Sequence, residues 1–171
     1  YEKMVSDYLK IDSISKSRQI WWKLRPHMDF GTIKFRMLDA QRSLVKTKMF
    51  ISLAQALVYQ TTEDYKNKKL NEFFSSEFLS DSLWKASRFD FNAKIIDVNL
   101  NTVVTMEDKI REMVEYASPA LADFGNTEIL STINDILKNG SESDVQLDIF
   151  ESEGMDGLKQ YLMDNVEFKI L

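Results

Sequence analysis

The fold of this chain is decided by residues 21–40, which read WWKLRPHMDFGTIKFRMLDA. Residues 31–38 alternate between two sets of side chains, the apolar Ile33, Phe35 and Met37 and the polar Thr32, Lys34 and Arg36. A period of two is typical of a β-strand with one buried face. Residues 19–25 predict a second strand, and turn-forming residues separate the two. The sequence therefore predicts an antiparallel hairpin with a longer loop, whose apolar side chains face the core.

The polar face of this hairpin carries several positive charges. Lys34 and Arg36 share a face of the second strand, and Trp21, Lys23 and Arg25 share a face of the first. Neighbouring cations on one sheet face repel one another unless anions lie opposite them. The planar guanidinium of arginine suits phosphate and carboxylate alike. The face is therefore expected to meet carboxylates from another part of the protein or phosphates of a ligand. A solvated sheet face, or arginines paired with acidic helix residues, is the structural alternative.

Helical periodicity flanks the hairpin on both sides. Apolar spacing predicts helices over residues 2–11, 40–62 and about 71–88. The third helix is expected to turn aromatic and leucine side chains inward, namely Phe73, Phe74, Phe78, Leu79, Leu83 and Trp84. Two short strands over residues 94–98 and 102–105 follow, and the asparagines between them favour a tight turn.

The rest of the chain is predicted to be helical. Thr105 can cap a helix that ends near Gly125, the next helix ends at Gly140, and two shorter helices follow near residues 143–152 and 156–165. The predicted fold class is α+β, with antiparallel hairpins followed by a C-terminal helical bundle. The chain is expected to form a single unit over residues 1–171. Its parts are a helix and hairpin (1–39), helices (40–93), short strands (94–105) and a helical bundle (106–171).

Composition excludes several classes of protein. The 171 residues are 44% hydrophobic with a net charge of −5, which argues for a folded domain and against a strongly basic nucleic-acid binder. The chain has no cysteine and one histidine, so thiol catalysis and a site built from several histidines are excluded within it. No glycine-rich nucleotide-binding motif and no apolar run of membrane-spanning length is present. We expect a cytoplasmic protein with no membrane or nucleic-acid partner.

Two blocks of sequence resemble one enzyme family. Residues 21–40 are similar to the hallmark block of the carboxylate–amine ligases, which include the type 2 glutamate–cysteine ligases. That block reads Trp-Asp-x-Arg-Pro, a short loop, and Phe-Gly-Thr-x-Glu-x-Arg-x-x-Asp-Ala. Residues 84–93 resemble the family segment Arg-Trp-x-Ala-x-Arg-x-Gly-Leu-Asp-Ala through Trp84, Ala86, Arg88 and Ala93. The resemblance covers nearly all of this chain, and the chain corresponds to about the C-terminal half of the family unit.

The resemblance implies an ATP-dependent ligase with a glutamine-synthetase-like core. In such an enzyme, glutamate is activated as an acyl phosphate and an amine, typically that of cysteine, displaces the phosphate. The matching positions imply that Arg36 contacts the transferred phosphate as the catalytic residue. They also imply that Arg25 and Arg88 bind ATP or substrate. Lys34, at a position that departs from the family, is expected to bind ATP or substrate as well. The magnesium ions would be held mainly by the family's N-terminal half. We therefore expect residues 1–171 alone to have no turnover.

Departures from the family pattern leave two interpretations open. Lys34 stands where the family has a metal-binding glutamate, so no metal ligand is expected at that position. Lys23 replaces an aspartate, Asp90 a glycine, and Val145 an arginine. These changes fit a divergent ligase with altered metal use. They equally fit a catalytically degenerate paralogue that serves as a binding or assembly module, for which self-association through uncovered apolar surface is expected.

Overall fold

The computed structural model describes residues 1–27, 29–70, 75–97 and 99–166. The chain divides into two compact units, Tyr1–Ala40 and Gln41–Leu171, and each is described by itself. The expectation of a single unit over residues 1–171 stays a prediction. Among the described residues, no helix is both long enough and apolar enough to cross a membrane.

The first unit consists of a helix and a hairpin. Helix α1 covers Glu2–Lys10, and a 3-10 turn follows at Ser17–Gln19. Strands β1 (Leu24–His27) and β2 (Thr32–Phe35) pair antiparallel, with Leu24 opposite Phe35 and His27 opposite Thr32. The predicted antiparallel hairpin is confirmed, and β2 lies within the predicted range. The predicted bounds of the first strand are wrong, because β1 shares only Leu24 and Arg25 with residues 19–25 and extends into the predicted loop. Pro26 belongs to β1 rather than to the loop, because both strands of a two-stranded sheet are edge strands, where proline is tolerated.

The predicted burial of the hairpin's apolar face is wrong for this chain. Ile33 and Met37 are exposed and Phe35 is half-buried. Within the described part of the first unit, Val5 and Ile20 are the buried apolar side chains. The described residues of the first unit therefore do not form a second apolar layer that covers the hairpin.

The second unit contains the other hairpin and most of the helices. Its helices are α2 (Leu44–Lys66), α3 (Ser76–Phe89), α4 (Met106–Asp123), α5 (Ile129–Asn139) and α6 (Glu142–Asp164). Strands β3 (Lys94–Asp97) and β4 (Thr102–Thr105) pair antiparallel after a 3-10 turn at Asp90–Asn92. Gly154 has a φ of 71° inside α6, which agrees with the predicted break between two shorter helices. The α+β class is therefore confirmed.

The core of the second unit lies where α2 meets α4 and α5. Its buried side chains are Met49, Leu53 and Ala56 from α2, Ala117, Ala120 and Leu121 from α4, and Ile129 and Ile133 from α5. Alanine at three of these positions lets the helix backbones approach closely. Thr105 and Asp108 form the reciprocal hydrogen bonds of a capping box at the start of α4, as predicted.

Helix α3 does not bury the face that the sequence predicts. Phe78, Leu79, Leu83 and Trp84 are all exposed. The main described contacts of α3 are with β3 and the 3-10 turn near its C-terminal end, and most of its apolar face is exposed within the described residues. The predicted contributions of Phe73 and Phe74 to this face, and of Val98 to β3, lie outside the described residues.

Candidate functional site

The hairpin of the first unit brings four cationic residues to one face. The register places Arg25 opposite Lys34. The backbone N–H of Arg36 donates to the carbonyl of Lys23 at 2.7 Å, which extends the pairing beyond β1 and β2. Residues directly opposite each other in an antiparallel pair share a face of the sheet. We call the set Lys23, Arg25, Lys34 and Arg36 the cation face.

Arg36 is held in place by an aromatic ring. Its guanidinium carbon lies 4.3 Å from the centroid of the Trp21 ring, a cation–π contact. The Nε of Arg36 is buried and has no hydrogen-bond partner among the described residues. No ion pair within the described part of the chain involves Arg36. The stacked ring fixes the plane of the guanidinium, and no hydrogen bond from its terminal amino groups is seen among the described residues, so these groups can donate to an anion.

Trp21 lies at the surface beside Arg36, and 75% of the residue is exposed. The period-two pattern that puts Trp21, Lys23 and Arg25 on one face was a signal that could have found this contact. Trp21 is therefore part of the candidate site as the residue that positions Arg36.

Arg25 donates its hydrogen bonds to backbone carbonyls of the first unit. The residue is 6% exposed, and its Nη1 donates to the carbonyls of Arg18 at 2.9 Å and Ile20 at 3.4 Å. These bonds tie the 3-10 turn and the residue that follows it to β1. The arrangement supports a structural role for Arg25, and the ligand-binding role stays a prediction.

Lys23 and Lys34 are the exposed cations of the face. Neither takes part in an ion pair with another described residue. Each ammonium can donate up to three hydrogen bonds, and like charges on one sheet face favour a bound anion. Together with Arg36 they form a surface that suits the oxygens of a phosphate chain such as that of ATP.

The same surface does not suit magnesium. Mg²⁺ is bound by oxygen ligands, and protonated lysine and arginine offer no lone pair. Across residues 1–27, 29–70, 75–97 and 99–166, no group of three or more His, Cys, Asp or Glu side chains could hold a metal ion. The described residues therefore fit the anionic part of a nucleotide and do not fit its usual metal partner.

Arg88 lies in the second unit, in the last turn of α3. It is exposed, and its guanidinium carbon is 5.7 Å from the centroid of the Phe89 ring. Beyond Phe89 is an open depression of about 410 Å³, lined by Lys85, Phe89, Asn92, Ala93 and Lys94. This position is compatible with ligand binding and equally with a favourable contact between a cation and the carbonyl end of a helix.

Asp90 follows Arg88 and has a backbone conformation that favours glycine. Its φ is 51° and its ψ is −137°. Its carboxylate accepts a hydrogen bond of 2.6 Å from the hydroxyl of Ser141, the residue that caps α6. The structure thus keeps a glycine-like turn at the position where the resemblance expects glycine, and the aspartate adds a link to α6.

Comparisons with known proteins agree with this reading of the sequence. The family model described as glutamate–cysteine ligase family 2 (GCS2) matches residues 1–160. A protein of Solibacter usitatus is 26% identical over 169 residues, which cover 98% of this chain and 44% of that protein. A protein of Gloeobacter violaceus is 29% identical over 150 residues, or 88% of this chain and 40% of that protein. A third, from Herpetosiphon aurantiacus, is 25% identical over 154 residues, or 90% and 40%.

All three relatives carry the name "Putative glutamate–cysteine ligase 2". The chain spans about two-fifths of their length. Because the family model covers residues 1–160 of 171, this chain belongs to glutamate–cysteine ligase family 2.

Proposed function

We propose that the chain supplies a phosphate-binding hairpin to an ATP-dependent carboxylate–amine ligase with a glutamine-synthetase-like fold. The observation that carries the proposal is the cation face, with Arg36 stacked on Trp21, in a member of glutamate–cysteine ligase family 2. The reaction joins the side-chain carboxylate of glutamate to an amine, with cysteine as the first candidate.

The chemistry has two steps. An oxygen of the glutamate side-chain carboxylate attacks the γ-phosphorus of ATP, and ADP leaves with the electrons of the broken P–O bond. The amine nitrogen then attacks the carbonyl carbon of the acyl phosphate, inorganic phosphate leaves, and the nitrogen loses a proton. The product is a γ-glutamyl amide. Phosphoryl transfer depends mainly on positioning and on stabilising the charge of the transferring group.

In this proposal, Arg36 stabilises the transferring phosphoryl group. The guanidinium donates hydrogen bonds to its oxygens, and the Trp21 ring keeps the guanidinium plane fixed between the two steps. Lys34 and Lys23 add positive charge beside it. For Arg88, the family resemblance supports binding of ATP or substrate, and Arg25 is proposed to support the hairpin.

ADP release tests this function directly. The protein expressed from its complete reading frame is incubated with ATP, Mg²⁺, glutamate and a panel of amines, cysteine first. We expect ADP release that requires both glutamate and an amine. Arg36→Lys should lower kcat by about 100-fold or more, because the charge remains but the fixed fork of donors is lost. Arg111→Lys is the matched control, since Arg111 forms an exposed pair with Glu107 on α4. Full activity of Arg36→Lys would overturn the role of Arg36.

The second candidate is a binding or assembly module that has lost catalysis. Lys34 favours it, since a lysine there removes the carboxylate that the resemblance expects. Absence of ADP release with every amine, in the native protein and in Lys34→Glu alike, would support this candidate. ADP release that appears only in Lys34→Glu would show that this one charge disables an otherwise complete site.

A further inference from the structure

We propose that the cation face binds a short phosphate chain directly, through Lys23, Lys34 and Arg36, with no divalent cation between protein and phosphate. This inference rests on the proposed function, because it takes phosphate as the ligand of the hairpin. It goes further by proposing that lysine and arginine side chains, and not a metal ion, neutralise the negative charge of the phosphate chain at this face.

The unneutralised charge of the face is the first argument. Lys23, Lys34 and Arg36 form no ion pair with any other residue in the described ranges. Elsewhere in the same unit, Lys3 and Lys10 pair with Asp7, and Arg25 is bonded to backbone carbonyls. Lys16 and Arg18 are exposed and, like the three residues of the face, have no ion pair among the described residues, so it is the clustering of the three that favours an anion. A Mg²⁺ ion brought to this face would meet three positive charges and no oxygen ligand from them.

The spacing of the three residues is the second argument. Lys23 and Arg36 lie directly opposite each other, and Lys34 is two residues before Arg36 on β2. Opposite Cβ atoms in an antiparallel pair are about 5 Å apart, and alternate residues along a strand are about 7 Å apart. The three side chains therefore extend from one small area of the sheet, whose size matches several linked phosphate groups. Trp21 fixes the guanidinium, while the two lysines can adjust to the ligand.

Net charge favours a short polyanion over a nucleic acid. The chain carries −5 overall, and residues 96–171 alone carry −11. The negative net charge opposes the long-range attraction that an extended nucleic acid needs, whereas a triphosphate requires only a few neighbouring cations. The ligand class is therefore a triphosphate group of the kind that ATP carries.

Calorimetric titration with inorganic tripolyphosphate tests the inference on the protein expressed from its complete reading frame. We expect binding in the presence of EDTA that excess Mg²⁺ weakens or leaves unchanged, because the metal takes up part of the anion's charge. Lys34→Glu should weaken metal-free binding by about tenfold or more, and Lys34→Gln by less, in proportion to the charge removed. Lys69→Glu is the matched control, since Lys69 is exposed in the second unit and has no ion pair among the described residues. Circular dichroism establishes that each variant is folded.

Two results would overturn the inference: binding that occurs only with Mg²⁺, or metal-free binding that Lys34→Glu leaves unchanged. ADP release with metal-dependent tripolyphosphate binding would remove the inference and leave the ligase function intact. Metal-free binding without ADP release would support the inference and remove the ligase function. No tripolyphosphate binding in either buffer, together with no ADP release, would remove both.

Discussion

At the scale of single residues, Asp97 is a buried carboxylate whose two oxygens both accept hydrogen bonds. Its side chain is 2% exposed. One carboxylate oxygen accepts the backbone N–H groups of Asn99 and Leu100 at 2.9 and 3.0 Å, and the other accepts Lys109 Nζ at 2.6 Å. The hydrogen bond from Lys109 and those from the turn outweigh burial and hold the pKa of Asp97 below its ordinary value. Asp97 thus joins the β3–β4 turn to helix α4.

Asp97→Asn should lower the free energy of unfolding by about 1–3 kcal/mol at pH 7, because the ion pair is lost while the amide oxygen can still accept the turn N–H groups. The folded pKa lies below the unfolded one of about 3.9, so the native stabilisation is complete above that pH. It is lost as the pH falls through the folded pKa, and the variant should lack this dependence. Urea denaturation at pH 7 and at pH 3 measures both effects.

Glu112→Gln provides the comparison for Asp97, because it removes the other, exposed carboxylate partner of Lys109. Exposed helix pairs contribute little, so its effect should be a small part of that of Asp97→Asn. Equal effects of the two substitutions at pH 7 would contradict the special role of the buried carboxylate.

The sequence alone predicted which side chains share a face of the first hairpin, but not which partner each cationic side chain contacts. The period of two correctly placed Lys34 with Arg36 and Lys23 with Arg25 on one face, whereas the register across the strands came from the structure. The bonds of Arg25 depend on the path of residues 17–20, and no apolar period indicates a 3-10 turn of three residues. Sequence periodicity cannot predict a side-chain partner that lies outside a regular helix or strand. The structure was therefore needed to show that Arg25 bonds to backbone carbonyls whereas Arg36 stacks on Trp21.

At the scale of elements, α6 is held at both of its ends by one arginine. Arg42, just before α2, bonds to Glu142 in the first turn of α6. It also bonds to the hydroxyl of Tyr161 and the carbonyl of Asn165 at the other end, each at 2.7 Å. The break at Gly154 accounts for how one side chain reaches both ends. Burial alone would raise the pKa of Glu142, but hydrogen bonds from Arg42 and others outweigh it and lower that pKa.

Arg42→Lys should lower the free energy of unfolding by about 1–3 kcal/mol, because an ammonium cannot make the same divergent set of bonds. Thermal unfolding followed by circular dichroism measures the change. Arg111→Lys, at an exposed pair within α4, should change stability much less. A loss at Arg42 no larger than the loss at Arg111 would show that α6 is held by other contacts.

The elements themselves were largely predictable, and their uncovered faces were not. Helix α4 begins at its predicted cap, and β2, β3 and β4 lie within their predicted ranges, whereas β1 begins later than predicted. Periodicity reports which side chains share a face, whereas burial depends on what packs against that face. The apolar sides of β2 and α3 are exposed in a chain that spans about two-fifths of its relatives' length. The pattern therefore identified the apolar faces of β2 and α3 correctly, but it could not show whether another part of the protein packs against them.

At the scale of the whole molecule, the apolar core is distributed unevenly. Eight buried residues from α2, α4 and α5 form one cluster in the second unit. In the described part of the first unit, Val5 and Ile20 are the buried apolar side chains. Burial of apolar side chains is the main source of stability, at about 1.5–3 kcal/mol for each large one. The two units should therefore differ in their resistance to local opening.

Native-state hydrogen exchange should reveal this difference. Amides of residues 24–35 should exchange through low-energy local openings, at least about tenfold faster than protected amides in the middle of α2 and α4. Leu121→Ala leaves a cavity in the second unit and should accelerate exchange in α2 and α4, with little change in residues 24–35. Mass spectrometry of peptides from a deuterium time course measures both. Two results would contradict this prediction: equal protection across the chain, or a hairpin that responds to Leu121→Ala as strongly as α4. Either would mean that the chain opens as one cooperative structure. The small core of the first unit would then not determine how readily the hairpin opens.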